Sequence, residues 1–195
     1  ALLPEVQKHY GKLKFYINGN WVASESDLIY EDVNPATGEV IAEFPSATDS
    51  EIEAAMDAAH GAVAKWREVP LRDKARYLFD LRGKFEEHFE RLCRVLVQDH
   101  GRTIGEARGT LRRCIENIES ACSALLLLTK GECVTDLAKG LDQALYWEPR
   151  GVFLIITPNN IPMHAWSSYV PYALASGCPV VVSPSKNDPV CMDAI

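Results

Sequence analysis

Three hydrophobic patterns follow one another along the chain, and the first is typical of short strands. β-Branched and aromatic residues flank Asn18-Gly19-Asn20, which predicts a hairpin because Asn and Gly accept positive φ at low cost. Residues 32–41 repeat the pattern, with turn residues followed by a short apolar run. We therefore expect β structure before residue 48.

From Thr48 the apolar residues recur at intervals of three and four, the period of an amphipathic helix. Thr48 with Glu51, and Thr103 with Glu106, have the spacing of a capping box, in which a hydroxyl and a carboxylate each satisfy a backbone N–H. Because the opposite faces of these helices are charged, we expect the helices to pack against a sheet. The predicted helices are one that ends at Pro70, one that continues to His100-Gly101-Arg102, and one that begins at Ile104.

The third pattern is a continuous apolar run at residues 151–156, bounded by Pro149 and Pro158. Such a run predicts a strand that is buried on both faces of a parallel sheet. Residues 179–182 predict a second buried strand, and a helix that begins at Pro162 joins the two. This β-α-β order predicts an α/β fold.

Two further features concern the organisation of the chain. Residues 137–148 are more typical of an extended excursion than of a helix. A single parallel crossover falls short of a doubly wound domain, so we expect an incomplete Rossmann-type sheet with packed helices. We accordingly interpret the chain as a fragment of a longer protein.

Composition excludes several classes of protein. The 195 residues carry a formal charge of −7, without the clustered Lys and Arg that nucleic acids or anionic membranes require as partners. No apolar run approaches the roughly 20 residues that cross a bilayer. The six Cys have no metal-ligand spacing, so we expect no metal site and interpret them as reduced thiols of a soluble, cytoplasmic protein.

The cysteines and histidines offer little catalytic signal. Cys114 and Cys122 occupy helix-core positions, where Cys behaves as a small buried hydrophobic residue. Cys178 and Cys191 flank the loops of the β-α-β unit and could be exposed, but neither lies beside a His. Of the five His, His164 lies nearest the predicted ligand-binding loop.

Candidate chemistry lies in the loops that follow the two apolar strands, because open α/β sheets bind ligands at the carboxyl ends of their strands. Neither loop contains a G-x-G-x-x-G or P-loop motif. In the first loop, Asn160 could donate an amide hydrogen to an oxyanion on a carbonyl substrate. The alternative, favoured by spacing alone, is that Asn159 or Asn160 caps the following helix. In the second loop, Lys186 either contacts a ribose or phosphate or is a solvated surface residue.

Six motifs, in order along nearly the whole chain, together resemble the aldehyde dehydrogenase superfamily. They are Ile17-Asn18-Gly19-Asn20-Trp21, Asn34-Pro35-Ala36-Thr37-Gly38-Glu39, Gly101-Arg102 with Glu106-Ala107, Glu148-Pro149-Arg150-Gly151-Val152, Pro158-Asn159-Asn160-Ile161-Pro162 and Ala173-Leu174-Ala175-Ser176-Gly177. The third is similar to the family's E-x-G-K…EA junction. The run Cys114-Ile115-Glu116-Asn117-Ile118-Glu119 is most similar to the methylmalonate-semialdehyde dehydrogenase branch.

The resemblance implies oxidation of a small aldehyde or semialdehyde by NAD or NADP through a cysteine thiohemiacetal. Asn160 would then be catalytic, as a donor to the oxyanion. The cysteine nucleophile and the general-base Glu would lie beyond residue 195. The implied cofactor-binding residues are Ile156, Thr157, Pro158, Asn159, Ser183, Ser185 and Lys186.

The resemblance also implies an organisation into segments. Residues 1–132 and 150–195 would belong to the nucleotide-binding domain, the latter as its first β-α-β unit. Residues 133–149 would form an oligomerisation hairpin, which implies a homo-oligomer, a dimer or a tetramer.

One departure from the family's pattern bears on the cofactor. Ser183 and Lys186 stand where the family has the Lys and Glu of K-P-S-E, and a cation at position 186 favours tolerance of a 2′-phosphate, hence of NADP. Ser183-Pro184 is similar to the Ser-Pro of CoA-acylating members, so CoA is a candidate co-substrate. The alternative hypothesis is a catalytically inactive nucleotide-binding or interaction fragment.

Overall fold

The computed structural model describes residues 9–195, except for the side chain of Leu128. The strands are β1 (Phe15–Ile17), β2 (Asn20–Val22), β3 (Ile29–Val33), β4 (Val40–Pro45), β5 (Glu132–Ala138), β6 (Leu141–Leu145), β7 (Phe153–Ile156) and β8 (Val180–Ser183). The helices are α1 (Asp49–Glu68), α2 (Leu71–Glu87), α3 (Phe89–His100), α4 (Ile104–Thr129), α5 (Pro162–Ala175) and α6 (Pro189–Asp193). None of the helices in this part of the chain is long and apolar enough to cross a membrane.

The predicted hairpin at Asn18-Gly19-Asn20 is confirmed. β1 pairs antiparallel with β2, and the turn residues Asn18 and Gly19 have φ of 51° and 79°. This left-handed pair matches the right-handed twist of the two strands, which is why Asn-Gly is favoured in such turns. β3 pairs with β4 and β5 with β6, also antiparallel, and the second of these pairs is the extended excursion that the sequence predicts.

Both predicted capping boxes are present, but the predicted second helix is wrong in one respect. α2 ends at Glu87 and α3 begins at Phe89, because His88 leaves the helical conformation with φ −102° and ψ 13°. Both helices pack against α4. Phe85 and Leu92, on either side of the break at His88, are both buried in the same core cluster.

α2, α3 and α4 bury their apolar faces chiefly against other helices, so the prediction that they pack on a sheet is wrong, whereas α1 contacts strands β8 and β1 as predicted. α4 lies between α2, α3 and α5, and its Leu111, Ile115 and Ile118 are fully buried. A sheet of two strands is too narrow to cover several long helices, and α4 provides the apolar surface instead. We refer to α2, α3, α4 and α5 as the helical core.

The predicted β-α-β unit is confirmed: β7 and β8 are parallel, with Phe153 opposite Val180 and α5 between them in sequence. The expected burial of β7 on both faces is wrong. Ile155 is buried, but Leu154 and Ile156, which share the other face, are 57% and 72% exposed. β8 is half-buried rather than buried. α5 packs on β7 and α1 contacts β8, but neither helix covers Leu154 and Ile156.

Three buried aspartates meet where β3, α3 and the start of α6 pack. Burial, followed by the neighbouring Asp99 carboxyl, raises the pKa of Asp32 from 3.8 to about 9. Burial raises the pKa of Asp99, and it raises the pKa of Asp188 from 3.8 to about 7. The backbone N–H of Cys191 donates to Asp99 Oδ2 at 2.6 Å. These carboxyls therefore hold protons that exposed aspartates would release.

Candidate active site

The candidate site is the pair of loops at the carboxyl ends of β7 and β8. Because the strands are parallel, residues 157–161 and 184–188 leave the sheet at the same edge. The backbone N–H of Thr157 donates to the carbonyl of Ser183 at 3.0 Å, so the pairing continues to the base of the loops. Thr157 is buried, and its Oγ1 has no hydrogen-bond partner among the residues that the structure describes.

Asn160 lies in the first of these loops with an exposed side chain. The N-cap of α5 is Ile161, and within residues 9–195 this helix start has no side-chain capping hydrogen bond. Pro162 begins the helix with a fixed φ and no N–H, which reduces the need for a cap. The expectation that Asn159 or Asn160 caps this helix is therefore wrong, and the amide of Asn160 remains available to a ligand.

Arg102 holds the backbone of this loop, a contact that the sequence did not predict. Its Nη2 donates to the carbonyl of Asn160 at 2.5 Å, and its Nη1 donates to Thr110 Oγ1 at 2.9 Å. Residues 102 and 160 are 58 positions apart, so no local spacing indicates the contact. The resemblance of Gly101-Arg102 to a family motif was the signal that this position differs from an ordinary helix end.

The second loop presents the remaining predicted cofactor residues. Ser183 and Lys186 are exposed. Ser185 is half-buried, and its Oγ accepts a hydrogen bond from the backbone N–H of Asn187 at 3.1 Å. Ser185 therefore stabilises the local turn, while the ammonium of Lys186 extends from it. His164, on α5, lies with Nδ1 3.5 Å from Ser168 Oγ.

The cysteines in this structure are poor nucleophiles or lie elsewhere. Cys114 is buried as predicted, whereas Cys122 is half-buried. Burial raises the pKa of Cys114 to about 11, so its thiol stays protonated at neutral pH. Cys178, between α5 and β8, and Cys191, on α6, could have been exposed but are both buried. Cys133 is exposed, but it lies on β5 and not in either of the loops at residues 157–161 and 184–188.

Comparison with known proteins identifies what the chain resembles. The Aldehyde dehydrogenase family model matches residues 21–195. Malonate-semialdehyde dehydrogenase 1 of Geobacillus kaustophilus (strain HTA426) is 38% identical over 178 residues, which are 91% of this chain and 36% of that protein.

Solved structures agree with the sequence match. The methylmalonate-semialdehyde dehydrogenase of Oceanimonas doudoroffii is 33% identical, with a TM-score of 0.87 over 94% of this chain and 39% of its own. An NADP-dependent enzyme of E. coli is 26% identical, with a TM-score of 0.88 over 93% of this chain and 37% of its own.

These matches confirm two predictions from the sequence, the α/β fold and the resemblance to semialdehyde dehydrogenases. The chain spans little more than a third of the length of the relatives it matches. On the match over residues 21–195, the chain belongs to the aldehyde dehydrogenase family.

Proposed function

We propose that the complete protein oxidises a small semialdehyde with NAD or NADP, and that Asn160 stabilises the oxyanion of the intermediate. Membership of the family and the semialdehyde dehydrogenases among its relatives support this reaction class. The observation on which the proposal depends is the exposed amide of Asn160, which has no capping role and lies at the carboxyl end of β7.

The proposed chemistry begins with a cysteine thiolate elsewhere in the complete protein, which attacks the aldehyde carbon. As the C–S bond forms, the carbonyl oxygen becomes negatively charged. The Nδ2–H of Asn160 donates to that oxygen and stabilises the charge more strongly than it stabilises the neutral aldehyde. One such donor contributes roughly 2.7–4 kcal/mol to the transition state.

The residues at the two loops are compatible with a dinucleotide. NAD or NADP, when bound, supplies the acceptor for the hydride. Ile156 offers an exposed apolar surface, Thr157 Oγ1 is a buried hydroxyl with no partner in residues 9–195, and Lys186 offers an exposed cation. We propose that Ile156, Thr157, Pro158 and Asn159 line the cofactor, with Ser183, Ser185 and Lys186 near its ribose.

We also propose that the complete protein is a homo-oligomer and that β5 and β6 contribute to its interface. All residues of both strands are exposed, and they include Val134, Leu137, Leu141 and Leu145. A cluster of exposed apolar side chains is typical of a protein–protein contact.

The substitution Asn160→Ala tests the proposed role of the amide. In the complete protein we expect kcat to fall by roughly 10² or more, since one oxyanion donor is lost. Initial rates of malonate-semialdehyde oxidation provide the measurement, and Asn20→Ala, on the distant β2, is the control. An unchanged kcat in a folded variant with rate-limiting chemistry would exclude Asn160 from catalysis.

The substitution Lys186→Glu tests the cofactor site. We expect the preference to shift from NADP toward NAD, because a carboxylate accepts from the ribose 2′-hydroxyl but repels a 2′-phosphate. The ratio of kcat/KM for the two cofactors measures the shift. An equal ratio before and after the substitution would remove Lys186 from the site.

The same assay, run with and without CoA, identifies the product. An acyl-CoA requires CoA for turnover, whereas an acid forms with water alone. If the complete protein shows no aldehyde-dependent reduction of either cofactor, the alternative hypothesis of an inactive nucleotide-binding or interaction protein is correct.

A further inference from the structure

Arg102 occupies a backbone position that is fixed on both sides. Gly101 ends α3 in the left-handed conformation, with φ 79°, and its N–H donates to the carbonyl of Val97 at 3.0 Å. A Cβ at Gly101 would lie 2.7 Å from Pro35 Cγ, so no side chain fits there without displacing Pro35. Thr103 then begins α4 with a capping box. The single residue between two helix ends therefore has a defined direction.

The guanidinium of Arg102 connects α4 to the Asn160 loop. Nη1 donates to Thr110 Oγ1, on a buried residue in the second turn of α4, and Nη2 donates to the carbonyl of Asn160. Both donors belong to one planar group, so the distance between the two acceptors is set by the guanidinium itself. The buried Nε has no hydrogen-bond partner within residues 9–195, so the guanidinium is hydrogen-bonded there through its two Nη atoms.

Arginine is suited to this task in a way that lysine is not. Lysine carries all its donors on one nitrogen atom at the end of a flexible chain, and it cannot hold two acceptors at a fixed separation and angle. The family motif that Gly101-Arg102 resembles has Lys at this place. This chain therefore has a more rigid connection at position 102 than that motif would supply.

We propose that Arg102 is a positioning residue for Asn160, an inference that rests on the proposed function. A hydrogen bond to the carbonyl of Asn160 fixes the peptide plane that follows it. That plane constrains the backbone of residue 160, and hence the direction in which its Cβ and side-chain amide point. Arg102 thereby pre-organises the oxyanion donor without touching the substrate.

Kinetics of Arg102→Gln in the complete protein test this proposal. We expect kcat to fall by about 10-fold, less than for Asn160→Ala, because the donor remains but is less well oriented. KM for the aldehyde and Kd for NAD(P) should stay within about twofold, since a positioning residue acts on Asn160 and not on either ligand. A change in KM or Kd with an unchanged kcat would contradict the proposal.

Two control variants separate positioning from general stability. Arg108→Gln removes an arginine from the same helical region that makes two hydrogen bonds, to Glu90 Oε1 and Oε2 at 2.9 and 3.0 Å, and does not contact the loop. We expect it to leave kcat unchanged. Thr110→Val removes the other acceptor of Arg102 and should lower kcat in the same direction as Arg102→Gln, by a smaller factor. If Arg108→Gln lowers kcat equally, the effect of Arg102 is structural.

A double variant provides the decisive result. If Arg102 acts through Asn160, then adding Arg102→Gln to Asn160→Ala lowers kcat no further, whereas independent effects multiply. Arg102→Lys should restore part of the activity lost in Arg102→Gln, because one donor can still reach the carbonyl. A multiplicative double variant would overturn the proposal.

Hydrogen exchange separates failure of this inference from failure of the proposed function. Arg102→Gln should increase the exchange of backbone amides in residues 159–165, and Arg108→Gln should not. If the unmodified protein oxidises no aldehyde, the proposed function fails, whatever the exchange shows. If it does oxidise aldehydes but exchange and kcat are both unchanged in Arg102→Gln, only the inference about Arg102 fails.

Discussion

Leu111, Ile115 and Ile118 in the helical core are fully buried, whereas Leu141, Tyr146 and Trp147, in and after β6, are 52%, 79% and 63% exposed. Both regions are rich in large apolar side chains. The first finds its partners within these 195 residues, because α4 is long enough to contact three other helices along one stripe. The β5–β6 hairpin is a single layer, so its apolar side chains can be covered only by another part of the protein or by a second copy of it.

This difference teaches that the apolar content of a segment does not determine where it is buried. Hydrophobic stabilisation depends on the area removed from water, and that area depends on a matching surface. In the helical core, the neighbouring helices provide the matching apolar surface. The apolar side chains of the β5–β6 hairpin, and Leu154 and Ile156 on β7, find no such surface within residues 9–195 and remain exposed to solvent.

The largest expected effect comes from a cavity in the helical core. Leu111→Ala should lower the free energy of unfolding by about 2–5 kcal/mol, because the side chain is fully buried. The matched control is Leu126→Ala, on the same helix, where the side chain is 71% exposed. Thermal unfolding of the two variants measures the difference. Equal losses in the free energy of unfolding would indicate that another subunit or another part of the protein covers Leu126. The difference in burial between the helical core and the exposed regions would then be smaller than the structure shows.

An intermediate effect on stability is expected from the buried aspartates Asp32, Asp99 and Asp188, which are ionisable groups in a well-packed region. In the unfolded chain Asp32 and Asp188 titrate near 3.8, whereas the folded chain keeps their protons up to about pH 9 and about pH 7. Between these values the folded state binds more protons, so stability is greatest at the acidic end and falls as pH rises.

Melting temperatures at about pH 6 and about pH 9 test this expectation, and we expect a fall of several degrees across the window. Asp32→Asn should reduce this fall in melting temperature, because an amide side chain does not ionise between these pH values. Asp80→Asn, at an exposed position on α2, should not change it. A pH profile that is identical in Asp32→Asn and the unmodified protein would show that Asp32 does not titrate in this range.

The smallest effect on unfolding is expected in the hairpin. Leu141→Ser should change the free energy of unfolding of an isolated subunit by no more than about 0.5 kcal/mol, because the side chain is already half exposed. The same substitution should weaken assembly if the hairpin lies in an interface, since a polar hydroxyl would replace part of an apolar contact. Light scattering during size-exclusion chromatography measures the subunit number, and an unchanged value with Leu141→Ser and Trp147→Ser combined would place the interface elsewhere.

Local signals predicted much of this fold. The capping boxes at Thr48 and Thr103 and the Asn18-Gly19 turn depend on residues within four positions of each other, and all three are confirmed. The placement of Asn160 after a strand also followed from sequence, because the strand and the proline-rich loop adjoin. Where one segment determines its own conformation, the pattern is sufficient.

Features that depend on distant partners were missed. The break at His88 leaves the helical periodicity of the apolar residues almost uninterrupted, so no sequence pattern indicated it. Asp32 and Asp99 are far apart in sequence, and each alone has the pattern of a surface acid. The apolar run of β7 indicated a strand buried on both faces, but a strand is buried on both faces only where other elements pack against each of them. The contact between Arg102 and Asn160 had no local signal for the same reason.

Of the six cysteines, Cys133 alone is exposed, and it lies on β5 among the apolar residues of the β5–β6 hairpin. The hairpin thus carries a natural reporter of its own accessibility. A thiol reagent too large to enter the core would label this residue in a free subunit and leave it unmodified wherever a neighbour covers the hairpin. The rate of labelling would then follow association as it happens, without any engineered probe.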